Sequence, residues 1–242
     1  MWLRRLLVAL YGLEERSAHT PAEVDWDGLP ERCVLQLHWY RTRELRRQLG
    51  RTGFQVVVPV RSPLDALLSI LQFAPHEPET ARWLDGLNGD ERPIIGVAPT
   101  SEAFLRYATG PRAKALLDVS PRWWDHSAYA VRYVDLVDDP VARLTELAAA
   151  VGAPMSISPS EAVEEASFKR LAAEARNNHF WRGRPGHWRE LLPADVVEPI
   201  VRAHRDLMRR FDFTADPDPT LTTEEALSRW EALTDPGIAE SA

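Results

Sequence analysis

The sequence predicts an α/β fold in which a parallel sheet is flanked by helices, and three observations predict it. Short apolar, β-branched runs recur at residues 33–37, 54–60 and 128–134. Amphipathic segments of helical period separate them. Strands that alternate with helices are joined by crossovers, which pair them in parallel and cover both faces of the sheet. Ligands of such sheets bind where strand ends meet helix starts, so the residues just after each strand are the first places to look for chemistry.

The chain opens with MWLRRLLVALYGL. Trp2, Leu3, Leu6, Leu7 and Leu10 recur at helical spacing, which makes this an amphipathic helix. The expectation is a helix of the fold rather than a leader peptide, because Tyr11 and Gly12 interrupt the apolar run and no A-x-A site follows closely. No cap precedes the helix, and Arg4 and Arg5 fall in its first turn, where the helix dipole disfavours cations. CVLQL (33–37) is a buried strand, followed by a basic amphipathic helix over 41–49. FQVVVPV (54–60) is the second strand, with Pro59 marking its end. Residues 63–73 form a helix with Leu64, Leu67, Leu68 and Leu71 on its apolar face and Asp65, Ser69 and Gln72 on its polar face. Residues 75–99, rich in proline, glycine and acidic side chains, read as irregular. Helices are expected at 100–108 and 111–118, and a third strand at 128–134. Further helices are expected at 139–151, 160–175 and 193–211. Gly152 and Pro154 end the first of these, and the Asp138–Asp139 pair caps its start. Beyond Phe213 an acidic, proline-rich tail carries one short helix near 222–233. The expected organisation is one domain over residues 1–213 and a C-terminal tail over 214–242.

With 242 residues and 45% hydrophobic content the chain can bury a substantial core. The net charge of −7 argues against a basic nucleic-acid binder, so an anionic ligand would have to be held by a local cluster of arginines. No stretch approaches the roughly 18 apolar residues of a membrane span. Cys33 is the only cysteine. It excludes an internal disulfide and a thiolate metal cluster, reads as a small core residue, and fits a reducing, cytoplasmic compartment.

Two distant segments carry the chemistry. In VVVPVRSPLDALLS, Arg61 is the first residue past a strand. Ser62 can cap the next helix, Pro63 fits its first turn, and Asp65 completes a capping-box pattern. Arg61 thus stands beside a helix N-terminus, where a phosphate is favoured, and its fork can grip two phosphate oxygens. Ser69 lies eight residues on. From position alone, a surface arginine and a solvated serine fit equally well. In NNHFWRGRPGHWRELL (177–192), Arg182, Arg184 and Arg189 surround Gly183 and Gly186, whose small size lets the backbone approach a ligand. The composition is that of an anion-binding loop. The tryptophans Trp181 and Trp188 set it apart from a wholly solvated surface loop.

Together these segments resemble the signatures of cytosolic-type sulfotransferases, enzymes that use 3′-phosphoadenosine 5′-phosphosulfate (PAPS). R-S-P-L-D-A-L-L-S resembles R-x-P-x-D-x-x-x-S, which grips the 3′-phosphate; the resemblance assigns Arg61 and Ser69 to it. F-W-R-G-R-P-G-H-W-R resembles R-K-G-x-x-G-D-W-K, with Arg182 in place of the lysine and Gly183 as the first glycine. Trp181 replaces the usual arginine, and His187 the aspartate. VRYVDLVDDP resembles R-Y-E-D-L-x-x-D-P, which places Tyr133 near the adenine, with Val134 for the usual glutamate. EASFKRLAAE resembles the segment whose Ser-Phe pair touches the cofactor, here Ser167 and Phe168. LQLHWY resembles the strand end K-T-H that carries the catalytic base, here His38 preceded by Gln36 and Leu37. The resemblance covers almost the whole chain, with five motifs in order. It implies a P-loop NTPase-like sulfotransferase fold, PAPS as cosubstrate, no metal, a small-molecule acceptor and a cytoplasmic location. His38 would accept the proton of an attacking hydroxyl or amine, and its near-neutral pKa suits that role.

The family opens with a strand and a loop of the type P-K-S-G-T-T-W that cradles the 5′-phosphosulfate and carries a catalytic lysine. Here Met1-Trp2-Leu3 aligns with the end of that loop, and Trp2 with the tryptophan that stacks on adenine. The expectation is a shortened member lacking the first strand and the phosphosulfate loop, with weak or absent transferase activity. A non-catalytic protein that binds 3′-phosphoadenosine 5′-phosphate (PAP) through Arg61, Ser69 and Arg182 is the alternative. A P-loop kinase relative is disfavoured by the absence of G-x-x-x-x-G-K-[ST]. Trp83, Trp123 and Trp124 suit either an acceptor pocket or the core. His179 and His187 have no third ligand spaced to join them, so zinc is not expected. The acceptor and the oligomeric state are not legible.

Overall fold

The structure, a computed structural model, describes residues 2–76, 94–174 and 183–234. In chain order its elements are α1 (Trp2–Tyr11), β1 (Glu14–Ala18), β2 (Cys33–Leu37), α2 (Arg43–Thr52), β3 (Val57–Val60), α3 (Pro63–Phe73), α4 (Glu102–Thr109), α5 (Pro111–Leu117) and α6 (Val119–Trp124). There follow β4 (Tyr129–Arg132), α7 (Tyr133–Asp138), α8 (Pro140–Val151), α9 (Pro159–Glu165), α10 (Phe168–Glu174), α11 (Trp188–Leu191), α12 (Ala194–Ala203), α13 (Arg205–Arg210) and α14 (Thr223–Thr234). The chain divides into two compact units, Met1–Val60 with Asp118–Gly183, and Arg61–Leu117 with Arg184–Ala242.

The first unit holds the four strands as two parallel pairs, β1 with β2 and β3 with β4. The three strands expected from apolar runs are present, the second and third shortened to 57–60 and 129–132. Pro59 lies within β3 on an exposed position, one residue before its end. β1 has no such signature. Its sequence EERSA is charged, and it is held by backbone pairing in register from Glu14–Cys33 to Ala18–Leu37. Its carboxylates also supply the anion that the first turn of α1 needs: Arg4 and Arg5 reach Glu15 at 2.5 and 3.0 Å. The first-turn arginines are therefore countered by the next strand.

Leu3, Leu6 and Leu10 of α1 form one buried stripe, packed with Val131 of β4, Leu136 of α7 and Leu144 of α8. Side chains such as Leu6 and Leu10, with no exposure, each contribute about 1.5–3 kcal/mol on burial. α8 begins as expected, with the Asp139 carboxylate accepting from Ala142 N at 3.0 Å, and ends at Gly152, whose φ of 68° the left-handed turn requires. The helix expected over 160–175 is broken after α9, and Ser167 sits in the break.

In the second unit, Leu64, Leu67, Leu68 and Leu71 of α3 are buried as their spacing predicts. Asp65 and Gln72, expected on an exposed polar face, are buried too, at 5% and 4% exposure. The cause is that α11 and α12 both pack against α3. The capping box expected at its start does not form: Ser62 makes no side-chain cap, and Asp65 bonds elsewhere. The helix expected over 193–211 breaks at His204, whose buried ring donates from Nε2 to the Ala108 carbonyl at 2.7 Å. Burial lowers the His204 pKa and keeps the ring neutral. α14 lies against α11 and buries Trp230. Most of the segment expected to be irregular, residues 77–93 with Trp83, lies outside the described residues, as does His179. Among the described residues no helix is long and apolar enough to cross a membrane, and no group of three or more His, Cys, Asp or Glu could hold a metal ion.

Candidate functional site

Three segments of the first unit meet at and beside Gly183. Trp2 opens α1. Its Nε1 donates to the Ala166 carbonyl at 2.8 Å, and its ring meets Tyr133 edge-on with centroids 6.4 Å apart. Tyr133 is the first residue of α7. The preceding Arg132 grips Asp135 through two bonds of 2.7 Å, which fixes the turn from β4 into the helix. The Tyr133 hydroxyl donates to the Gly183 carbonyl at 3.3 Å. Gly183 has a φ of 66°, and a Cβ built on it would collide with the ring of Phe168. Only glycine fits there. Phe168 begins α10, directly after Ser167 in the break that follows Ala166. Trp2, Tyr133, Ser167, Phe168 and Gly183 are all partly exposed. Three aromatic side chains held at element starts around a glycine make a surface suited to a planar heterocycle.

His38 lies in the same unit, immediately after β2. Its side chain is exposed, yet desolvation by the protein around it, followed by the nearby charge of Arg4, pushes its pKa down to about 4. The ring is therefore neutral at physiological pH. Its Nε2 stands 2.8 Å from Nε2 of Gln36, whose buried Oε1 makes no hydrogen bond. An amide nitrogen donating to this ring would occupy the Nε2 lone pair and place the proton on Nδ1. Turning the carboxamide over puts Oε1 on Nε2–H and leaves Nδ1 with its lone pair. Only the second arrangement leaves His38 free to take a proton without breaking the bond. Just beyond it, Trp123 donates from Nε1 to the Trp39 carbonyl at 3.0 Å and is 8% exposed, so it belongs to the core. Trp124 is partly exposed.

In the second unit Arg61 precedes α3, and Ser69 lies two turns along that helix, both partly buried. Asp65 is the meeting point. Its Oδ1 accepts from Gly186 N at 2.8 Å. Burial raises its pKa, while the nearby charges of Arg61, His187 and Arg189 act in the opposite direction. Arg61 and the glycine-bordered basic turn thus come together around one carboxylate. Arg182 and Trp181 lie outside the described residues. Asp65 is the candidate site residue that sequence reasoning missed, having placed it on an exposed polar face. The available signal was a lone carboxylate in the otherwise apolar PLDALL, one residue from the buried Leu64.

No protein-family model matches the chain, and no curated protein sequence does. Solved structures do match. The structure of mouse sulfotransferase SULT7A1 complexed with PAP superposes with a TM-score of 0.60 at 16% identity, over 87% of this chain and 80% of that one. At this identity the likeness is one of fold: the chain has the α/β sulfotransferase fold, with small parallel sheets flanked by helices.

Proposed function

We propose that this protein binds PAPS and transfers its sulfuryl group to a hydroxyl or amine of a small acceptor. The adenine rests on Trp2, Tyr133, Phe168 and Gly183, with Ser167 beside it. Arg61, Ser69 and Arg182 hold the 3′-phosphate. The observation that carries this reading is the convergence of Trp2, Tyr133, Ser167, Phe168 and Gly183 on one place. These residues are far apart in the chain, and each is one that the resemblance assigns to the nucleotide. Support also comes from the fold shared with a sulfotransferase complexed with PAP.

In the reaction the acceptor oxygen or nitrogen attacks sulfur in line. The bond from sulfur to the oxygen of the 5′-phosphate breaks, PAP leaves, and the acceptor proton passes to the free ring nitrogen of His38. Charge that builds on the leaving phosphate is stabilised by fixed cations, as in phosphoryl transfer. A second reading is binding of PAP without chemistry. It is favoured by one observation: an imidazole with a pKa of about 4 is a weak base.

Incubation with PAPS labelled in its sulfate and a panel of phenols, alcohols and amines, beside calorimetric titration with PAP, decides between them. Slow transfer of label to an acceptor, with PAP inhibiting, is the expected result. Tight PAP binding with no labelled acceptor would leave the second reading. No binding of PAP and no transfer would exclude both.

A further inference from the structure

We infer that Asp65 is a positioning residue of the 3′-phosphate site: by accepting the Gly186 N–H it holds the basic turn Arg184–Gly186 in register with Arg61. The inference rests on the nucleotide reading above and adds to it a residue with no direct contact to the ligand.

The geometry points to this role in three ways. First, the carboxylate is buried at 5% exposure in the first turn of α3 and does not cap its own helix. Its recorded bond goes instead to a backbone amide 121 residues away, at 2.8 Å. Second, that amide belongs to a positive-φ backbone conformation that glycine adopts freely and an L side chain does not. Gly186 has a φ of 92°, and a Cβ there would approach Arg189 Nη1 to 2.9 Å. Third, the rest of the turn is already fixed on its other side. Trp188 is 2% exposed, and the Arg189 guanidinium stacks over its ring at 4.4 Å. One charge-assisted bond therefore ties a pre-shaped turn to the helix that Arg61 precedes. A buried carboxylate near Arg61 and Arg189 also offsets the repulsion between these two guanidinium groups when no phosphate is bound.

The readout is the preference for PAP over adenosine 5′-phosphate, which lacks the 3′-phosphate, measured by calorimetry on the full chain. Thermal melting is the control for folding. Asp65→Ala is expected to lose about tenfold of that preference while adenosine 5′-phosphate binds as before. Asp65→Asn keeps an acceptor for the amide and is expected to restore most of it. Gly186→Ala keeps the carboxylate but displaces the amide from its positive φ, and is expected to reproduce the selective loss. This variant decides the matter should Asp65→Ala fail to fold. Full preference in Gly186→Ala, or in a folded Asp65→Ala, would overturn the inference, as would equal losses in Asp65→Asn and Asp65→Ala. If the wild type itself shows no preference for PAP, the nucleotide reading falls rather than the role of Asp65.

Discussion

Replacing His38 with alanine is expected to slow sulfuryl transfer from PAPS by about 10²- to 10⁴-fold, the usual weight of a positioned general base. The affinity for PAP should be essentially unchanged, because no nucleotide contact is assigned to this ring. The pH profile of the wild type separates this role from a structural one. A group that acts as a base must be unprotonated, and the His38 pKa is pushed down to about 4. The rate is therefore expected to rise with pH through about 4 and to run flat across the neutral range. An ordinary imidazole would give an inflection near about 6.5. The flat profile and the modest base strength share one cause, the lowered pKa of the ring, which the surrounding protein desolvates beside Arg4. An inflection near neutrality, or a His38→Ala variant with unaltered turnover, would remove His38 from the chemistry.

The second large effect is expected at Arg61. Its loss to alanine should weaken PAP binding by about 1.5–3 kcal/mol, the worth of a charged, two-point hydrogen bond to phosphate. That corresponds to roughly 10- to 150-fold in Kd. Arg61→Lys keeps the charge without the planar fork and should fall between the two. The alanine variant has a further consequence, because Arg61 is the foremost of the charges that offset the burial of Asp65. Removing it leaves that carboxylate harder to ionise, so melting should be followed alongside binding. Equal affinities for the wild type and a folded Arg61→Ala would take Arg61 out of the site.

How much of this was legible in the sequence depends on what holds each piece. α3 follows the sequence expectation at both ends, because Pro63 sets its start and its leucines bury one face. The caps of α8 at Asp139 and Gly152 are local chemistry and equally legible. β1 is not, because EERSA carries no apolar alternation. Only pairing with β2 and the neutralisation of Glu15 by α1 make it a strand. The breaks at Ser167 and His204 escape periodicity for a similar reason. The helices on either side keep their pattern, and tertiary contacts at the Ala166 and Ala108 carbonyls accompany the interruptions.

The site divides the same way. The resemblance names Trp2, Tyr133, Ser167, Phe168 and Gly183, and backbone chemistry explains their places: three helix starts, a helix break and a left-handed glycine. Asp65 was misjudged because a carboxylate three residues after Ser62 has the spacing of a capping box. Burial by α11 and α12 gives it a different partner, one that no local pattern encodes.

The account depends on one nucleotide lying on these residues, and a crystal structure of the protein with PAP tests that most directly. The predicted result is an adenine ring against Trp2, Tyr133 and Phe168 at Gly183, with the 3′-phosphate held by the Arg61 guanidinium. A nucleotide bound with its base away from Trp2 and its 3′-phosphate away from Arg61 would contradict it.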